Sequence, residues 1–136
     1  MSQVKRIDHV AYLVPNIDEA LKSFAALGIL PGQREVVASQ KTEACLLPIA
    51  DGNIELIAPA GNESLQRFLD KRGPGLHHVA LEVENIEAAI AELEAQGMPL
   101  IDKTPRIGAR GHKVAFAHPK AFGGLLVELV EASHHG

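Results

Sequence analysis

Hydrophobic and polar residues follow the same order twice along this chain. Residues 7–14 are rich in β-forming side chains and precede a helical pattern that ends at Gly28; residues 76–83 precede a second one that ends at Gly97. At a constant offset of 69, nine of the 22 positions from 7 to 28 are identical in the second copy. A period of about 70 residues exceeds the usual solenoid repeats, so the pattern predicts duplication within one domain.

Each copy predicts one strand, one helix and then three strands. Asn16 is a predicted helix N-cap, because its side chain can accept a hydrogen bond from the first helical turn, and Asn85 occupies the matching position of the second copy. In the first copy, the later strands are expected at residues 34–38, 42–48 and 53–58. A short linking helix is expected at residues 64–71. The second copy predicts a strand at 76–83, a helix at 86–96, and strands near 100–103, 113–117 and 125–130.

Composition and charge exclude several classes of partner. The chain has 136 residues and a net charge of −4, which argues against nucleic acid or an anionic membrane surface as its main partner. No apolar run approaches the roughly 20 residues that span a bilayer, and no secretory signal is evident. A single cysteine, Cys45, fits a reducing compartment and predicts a cytoplasmic location. Residues 133–136 are expected to be a frayed tail whose histidines are incidental.

Each copy also carries one histidine and one glutamate at matching places. His9 and His78 occupy the same position in the two first strands, and Glu55 and Glu128 lie in the two closing strands. Strand alternation puts each of them on the face away from its most apolar neighbours. Two imidazoles and two carboxylates suit a divalent transition metal, whereas the alternative is that they are solvated polar positions.

Several longer motifs accompany this pattern, and with them the chain resembles the vicinal oxygen chelate superfamily (glyoxalase/bleomycin resistance-like), in its methylmalonyl-CoA epimerase branch. The motifs are Ile7-Asp8-His9-Val10-Ala11, Ile54-Glu55-Leu56, Gly75-Leu76-His77-His78-Val79-Ala80, Pro105-Arg106-Ile107-Gly108, Phe116-Ala117-His118-Pro119-Lys120 and Gly123-Gly124-Leu125-Leu126-Val127-Glu128-Leu129. The resemblance implies an α+β fold of two βαβββ modules related by pseudo-twofold symmetry, forming a metal-lined cleft. It implies one domain over residues 1–136, with module one at about 5–59, a linker helix at about 62–73 and module two at about 75–132.

The resemblance also implies a reaction and a site. His9, Glu55, His78 and Glu128 would be metal ligands. The reaction would be 1,1-proton transfer at the α-carbon of an acyl-CoA, most simply methylmalonyl-CoA, with Glu128 as one acid–base group. The cofactor would be a divalent ion, with cobalt favoured by resemblance and manganese, nickel, iron or zinc as alternatives. The partner would be the acyl-CoA substrate, and the assembly a homodimer.

The second acid–base group is Glu43, and the sequence leaves its orientation open. Some family members carry a glutamate in the strand after the first helix. Counted forward from Gln40, Glu43 falls one residue short of that place; counted backward from Pro48, it fits. A shift of one residue moves a strand side chain to the opposite face. Arg110 also departs from the pattern, because a glycine is common at its position.

Two other functions use the same residues. The first is a glyoxalase I-like lactoylglutathione lyase, which would need the same ligands and similar enolate chemistry. The second is a non-catalytic protein of this fold that binds a small molecule and needs no metal.

Overall fold

The computed structural model describes residues 4–132; the predicted tail at residues 133–136 lies outside this range. Close contacts divide the chain into two compact units. The N-terminal unit is His9–His77. The C-terminal unit is Met1–Asp8 with His78–Gly136, of which residues 4–8 and 78–132 are described.

The predicted order of elements is confirmed in both copies. The first copy and the linker consist of β1 Val4–Leu13, α1 Ile17–Ala25, β2 Arg34–Val37, β3 Thr42–Ile49, β4 Gly52–Pro59 and α2 Glu63–Arg72. The second copy consists of β5 Gly75–Val83, α3 Ile86–Ala95, β6 Arg106–Ile107, β7 Lys113–Ala117 and β8 Val127–Glu131. The chain is therefore a mixed α+β fold with two βαβββ modules. Among the described residues, no helix has the length and apolar character needed to cross a membrane.

The repeat is visible in how its helices begin and stop. The Asn16 side chain accepts a hydrogen bond from the Glu19 amide at 2.9 Å, and Asn85 accepts one from the Ala88 amide at 2.9 Å. After the helices, Gly28 and Gly97 take positive φ values of 80° and 74°. Glycine adopts this left-handed conformation without a steric penalty, so the chain turns out of the helix at equivalent places in the two copies.

In the N-terminal unit the strand order is β2-β3-β4-β1, and only the β1–β4 pair is parallel. α1 packs on one face, where Cys45, Leu47 and Leu56 are fully buried in a cluster with the helix. α2 packs on the other face through Leu65, against a cluster that includes Leu13. Both faces of these strands are therefore covered by a helix.

In the C-terminal unit the strand order is β5-β8-β7-β6, and only the β5–β8 pair is parallel. α3 packs on one face in a cluster with Val83, Ala115, Val127 and Leu129. The opposite face holds a smaller apolar cluster of Ala80, Val114 and Val130. No second helix of this unit covers that face, within the described residues.

One predicted strand is wrong. Residues 100–103 do not form a strand: Leu100 makes only an isolated antiparallel bridge with Ala117. The physical reason is that the Asp102 carboxylate accepts the Phe116 amide hydrogen bond at 2.9 Å, taking the place of a strand carbonyl. The Ile101 and Asp102 amides both donate to the Phe116 carbonyl, so the ladder cannot continue there. The strand that does pair with β7 is β6.

Candidate metal centre

The N-terminal unit buries a histidine beside a glutamate. In the β1–β4 ladder Ala11 is paired with Glu55, and His9 lies two residues before Ala11 on the same side of β1. His9 and Glu55 are only 3% and 5% exposed. His9 Nε2 lies 3.5 Å from Glu55 Oε1. We call this side of the strands the N-terminal ligand face.

The C-terminal unit repeats the same arrangement. Ala80 of β5 is paired with Glu128 of β8, and His78 lies two residues before Ala80. Both side chains are buried, and His78 Nε2 lies 3.1 Å from Glu128 Oε1. We call the side that carries this pair the C-terminal ligand face. The duplication therefore preserves the position of each His–Glu pair within its own strand ladder.

Each His–Glu pair has the spacing that two ligands of one ion require. Two ligand atoms bound at about 2.1 Å lie about 3.0 Å apart at a right angle and about 3.4 Å apart at the tetrahedral angle. The observed separations of 3.5 Å and 3.1 Å are close to these values. Burying a carboxylate is costly unless it is paired or coordinates a metal. The donor set and its geometry fit a divalent transition metal.

Glu43 does not share the N-terminal ligand face. In the β3–β4 ladder Leu46 is paired with Glu55, so Leu46 and Ala44 point to the ligand side and Glu43 points to the other. The forward count from Gln40 therefore identifies the ligand-facing position, and the residue there is Ala44. This placement does not bring the predicted base Glu43 together with the predicted ligands of its unit.

On the α1 side of the sheet, Glu43 belongs to an ion triad. Arg34 Nε donates a hydrogen bond of 2.9 Å to Glu43, and Arg34 Nη1 donates one of 2.7 Å to Asp18 of α1. Hydrogen bonds to Asp18 and Glu43 raise the pKa of the Arg34 guanidinium, and the Arg34 hydrogen bond lowers the pKa of the Asp18 carboxyl. The triad links α1, β2 and β3 at the surface.

The C-terminal unit contains a buried charge network that the sequence did not reveal. Asp8 is 1% exposed and lies 2.6 Å from Arg110 Nη2 and 3.2 Å from Arg6 Nη2. Arg6 also donates to Glu82, from Nε at 3.2 Å. Arg110 adopts φ = 60°, which is costly for a residue with a Cβ. Burial lowers the pKa of the nearby His112 imidazole, and the positive charge of Arg110 lowers it further.

Phe116 packs directly against a predicted ligand. In the β7–β8 ladder Phe116 is paired with Glu128, so it lies on the C-terminal ligand face. Its ring meets the His78 ring edge-on, with centroids 5.3 Å apart and planes at 89°. Only the pairing of β7 with β8 places Phe116 on this face, because alternation within β8 does not fix the register of its neighbour.

Lys113 and His77 make contacts away from the two His–Glu pairs. Lys113 donates a hydrogen bond of 3.0 Å to Glu87 of α3, and this helix packs on the face without the His–Glu pair. His77 is half-buried and packs edge-on against Phe68 at 6.3 Å.

Comparison with known proteins agrees with this architecture. Residues 8–116 match the model of the Glyoxalase/Bleomycin resistance protein/Dioxygenase superfamily. The chain is 34% identical over 131 residues to "Methylmalonyl-CoA epimerase, mitochondrial" of Dictyostelium discoideum, covering 94% of this chain and 79% of the relative.

Two solved structures extend the likeness to three dimensions. The methylmalonyl-CoA epimerase from Mycobacterium tuberculosis has a TM-score of 0.90 and 35% identity, over 96% of this chain and 90% of that one. A methylmalonyl-CoA epimerase in complex with methylmalonyl-CoA and NH4+ has a TM-score of 0.89 and 27% identity, over 96% of both chains. The chain therefore belongs to the glyoxalase/bleomycin resistance protein/dioxygenase superfamily and, within it, to the methylmalonyl-CoA epimerase family.

Proposed function

We propose that this protein is a metal-dependent epimerase that moves a proton at the α-carbon of methylmalonyl-CoA. The observation that carries the proposal is the buried His–Glu pair that recurs at the same place in both modules. Family membership supports the reaction, and the relative that binds methylmalonyl-CoA supports an acyl-CoA ligand.

We propose that His9, Glu55, His78 and Glu128 are the ligands of one divalent ion. Their burial and the separation within each pair support this set. Imidazole and carboxylate donors suit cobalt, manganese, nickel, iron and zinc, and the family resemblance favours cobalt. When bound, the ion supplies positive charge that stabilises the negative charge developing on the thioester oxygen as the α-proton leaves.

Glu128 is the proposed acid–base residue. Its carboxylate accepts the α-proton as the C–H bond breaks, and the electron pair of that bond is delocalised into the thioester. A second acid–base group on the opposite face then donates a proton to the α-carbon, and this inverts the centre. Because a nearby cation lowers the basicity of a carboxylate, Glu128 would be a weaker base than a free glutamate. The sequence predicts Glu43 as the second acid–base group, and its place on the α1 side of β3 makes the Glu43→Gln variant the test of that role.

Two broader properties belong to the same proposal. We propose a homodimer, on family resemblance, and a cytoplasmic location, which the single buried Cys45 supports. Sedimentation of the purified chain tests the first, and fractionation of the cells that produce it tests the second.

A paired substrate assay tests the function. Purified protein loaded with Co²⁺ is given one epimer of methylmalonyl-CoA, and the second epimer is followed by chiral separation. A parallel sample receives methylglyoxal and glutathione, and a third is treated with a chelator before the epimer is added. We expect interconversion in the first sample only. Turnover of the glutathione adduct alone would identify a glyoxalase. Binding of methylmalonyl-CoA to the protein, with no turnover in any sample, would identify a binding protein.

A further inference from the structure

We infer that Arg106 binds an oxyanion of the acyl-CoA substrate, a role that rests on the proposed function. Arg106 lies on the edge strand β6 and is paired with Val114 of β7. Paired residues of antiparallel strands point to the same side, and so does Phe116, two residues after Val114. Since Phe116 is paired with Glu128, Arg106 lies on the C-terminal ligand face.

An aromatic contact holds the Arg106 guanidinium over this face. Its Cζ atom lies 5.6 Å from the centroid of the Phe116 ring. The Phe116 ring in turn packs edge-on against His78. A cation above an aromatic face is attracted to the ring without losing its hydrogen-bond donors. The Phe116 ring therefore contacts both Arg106 and His78, one of the two predicted ligands of this unit.

The donors of Arg106 are available to a ligand. Asp102 is its one ion-pair partner among residues 4–132, at 3.6 Å, and the same Asp102 oxygen already accepts the Phe116 amide. None of these residues accepts a hydrogen bond from Arg106 by ordinary distance criteria, and its side chain is 42% exposed. A guanidinium offers five N–H donors in a planar fork that matches carboxylate and phosphate oxygens.

Other arginines of the same unit are committed differently. Arg110 and Arg6 are bound to the buried Asp8 carboxylate. Replacing such a partner with a substrate oxyanion would leave Asp8 buried beside fewer positive charges. Binding of a substrate oxyanion to Arg106 would leave no buried carboxylate without its partner. Arg106 lies over the Phe116 ring, and its carboxylate neighbour Asp102 is 3.6 Å away.

An acyl-CoA of this kind presents two sources of oxyanion, the carboxylate of the acyl group and the phosphates of CoA. Arg106 suits both, because the hydrogen-bonding geometry is shared. The two sources are distinguished with a truncated substrate, the methylmalonyl thioester of N-acetylcysteamine, which keeps the carboxylate and lacks every phosphate.

The test compares Arg106→Met with wild type on both substrates, in Co²⁺-loaded protein. Methionine keeps an apolar chain over Phe116 and removes the charge. Because hydrogen bonds to charged groups are strong, we expect KM for methylmalonyl-CoA to rise about tenfold or more, with kcat changed much less. Arg106→Lys should recover part of the loss, since it keeps the charge but not the planar fork.

The control is Arg67→Met, which removes an exposed arginine of α2 whose one hydrogen-bond partner within residues 4–132 is Ser64. It should leave KM unchanged, and equal melting temperatures of all variants would show that folding is intact. A KM defect on both substrates identifies the carboxylate as the bound group; a defect confined to the CoA substrate identifies a phosphate. Equal KM for Arg106→Met and wild type on both substrates overturns the inference. If wild type neither turns over nor binds methylmalonyl-CoA, the proposed function itself fails.

Discussion

Arg34 donates a 2.9 Å hydrogen bond to Glu43, and this contact lies on the side of β3 opposite to the face that carries Glu55. Glu43 therefore takes part in a surface ion triad with Arg34 and Asp18. The relationship separates two roles that the sequence left open for Glu43, a base beside the ligands and a solvated strand residue.

The Glu43→Gln variant measures which role holds. Glutamine keeps the size and hydrogen-bonding capacity of glutamate but cannot accept the α-proton. If Glu43 serves only in the triad, we expect the epimerisation rate of the variant to stay within about threefold of wild type. The variant should also stay folded, because exposed ion pairs contribute little to stability. A loss of about 10²-fold or more, with normal metal content, would instead identify Glu43 as one of two bases.

Replacement of Glu55 tests the ligand set. In Glu55→Ala the buried His9 loses the carboxylate beside it, so we expect metal content per chain and epimerisation to fall together. Wild type should also gain about 2.7 kcal/mol of unfolding free energy at a metal concentration 100 times the dissociation constant, and the variant should lose this gain. Elemental mass spectrometry and urea unfolding with and without Co²⁺ provide the measurements.

The matched control for that experiment is Leu46→Ala, which removes a buried side chain paired with Glu55 in the ladder but offers no ligand atom. It should lower stability while retaining metal. Metal content at the wild-type level in Glu55→Ala would remove Glu55 from the ligand set.

The bridge between Asp8 and Arg110 gives a prediction about stability. Arg110→Ala removes the nearer of the two arginines that contact the buried Asp8 and leaves Arg6 in place, so it should cost at most about 3 kcal/mol of unfolding free energy. Arg110→Gly loses the same bridge, yet glycine adopts the observed φ of 60° without strain. Urea unfolding should find the glycine variant at least as stable as the alanine variant. A loss below about 0.5 kcal/mol in both would show that the bridge is unimportant, since changes of that size are typical of ordinary surface substitutions.

Local patterns in the sequence predicted the modules well, because the information is short-range. Asn16 caps its helix as expected, and Asn85 does the same at the matching position, since the capping oxygen and the amide that donates to it are three residues apart. Strand alternation likewise predicted that the His78 and Glu128 side chains point away from the most apolar face of their strands. Each of these predictions depends on residues within one element or on the repeat itself.

Two features were harder to predict: the register of paired strands, and the replacement of a backbone hydrogen-bond acceptor by a side chain. The face of Glu43 depends on a single residue in the count from Gln40, and only the pairing of β3 with β4 decides it. The strand expected at residues 100–103 is absent because Asp102 takes the place of a backbone acceptor. The Asp8–Arg110 bridge joins residues 102 positions apart, and no local pattern reports such a contact.

The most direct test of the central claim follows the α-proton itself. Methylmalonyl-CoA is incubated in heavy water with Co²⁺-loaded wild-type protein, and the α-proton signal is followed by NMR. The account predicts loss of the signal with catalytic amounts of protein, formation of the second epimer, and abolition of both by removal of the metal. An α-proton that persists in the presence of fully metal-loaded, folded protein would contradict the assignment of this chain as an epimerase.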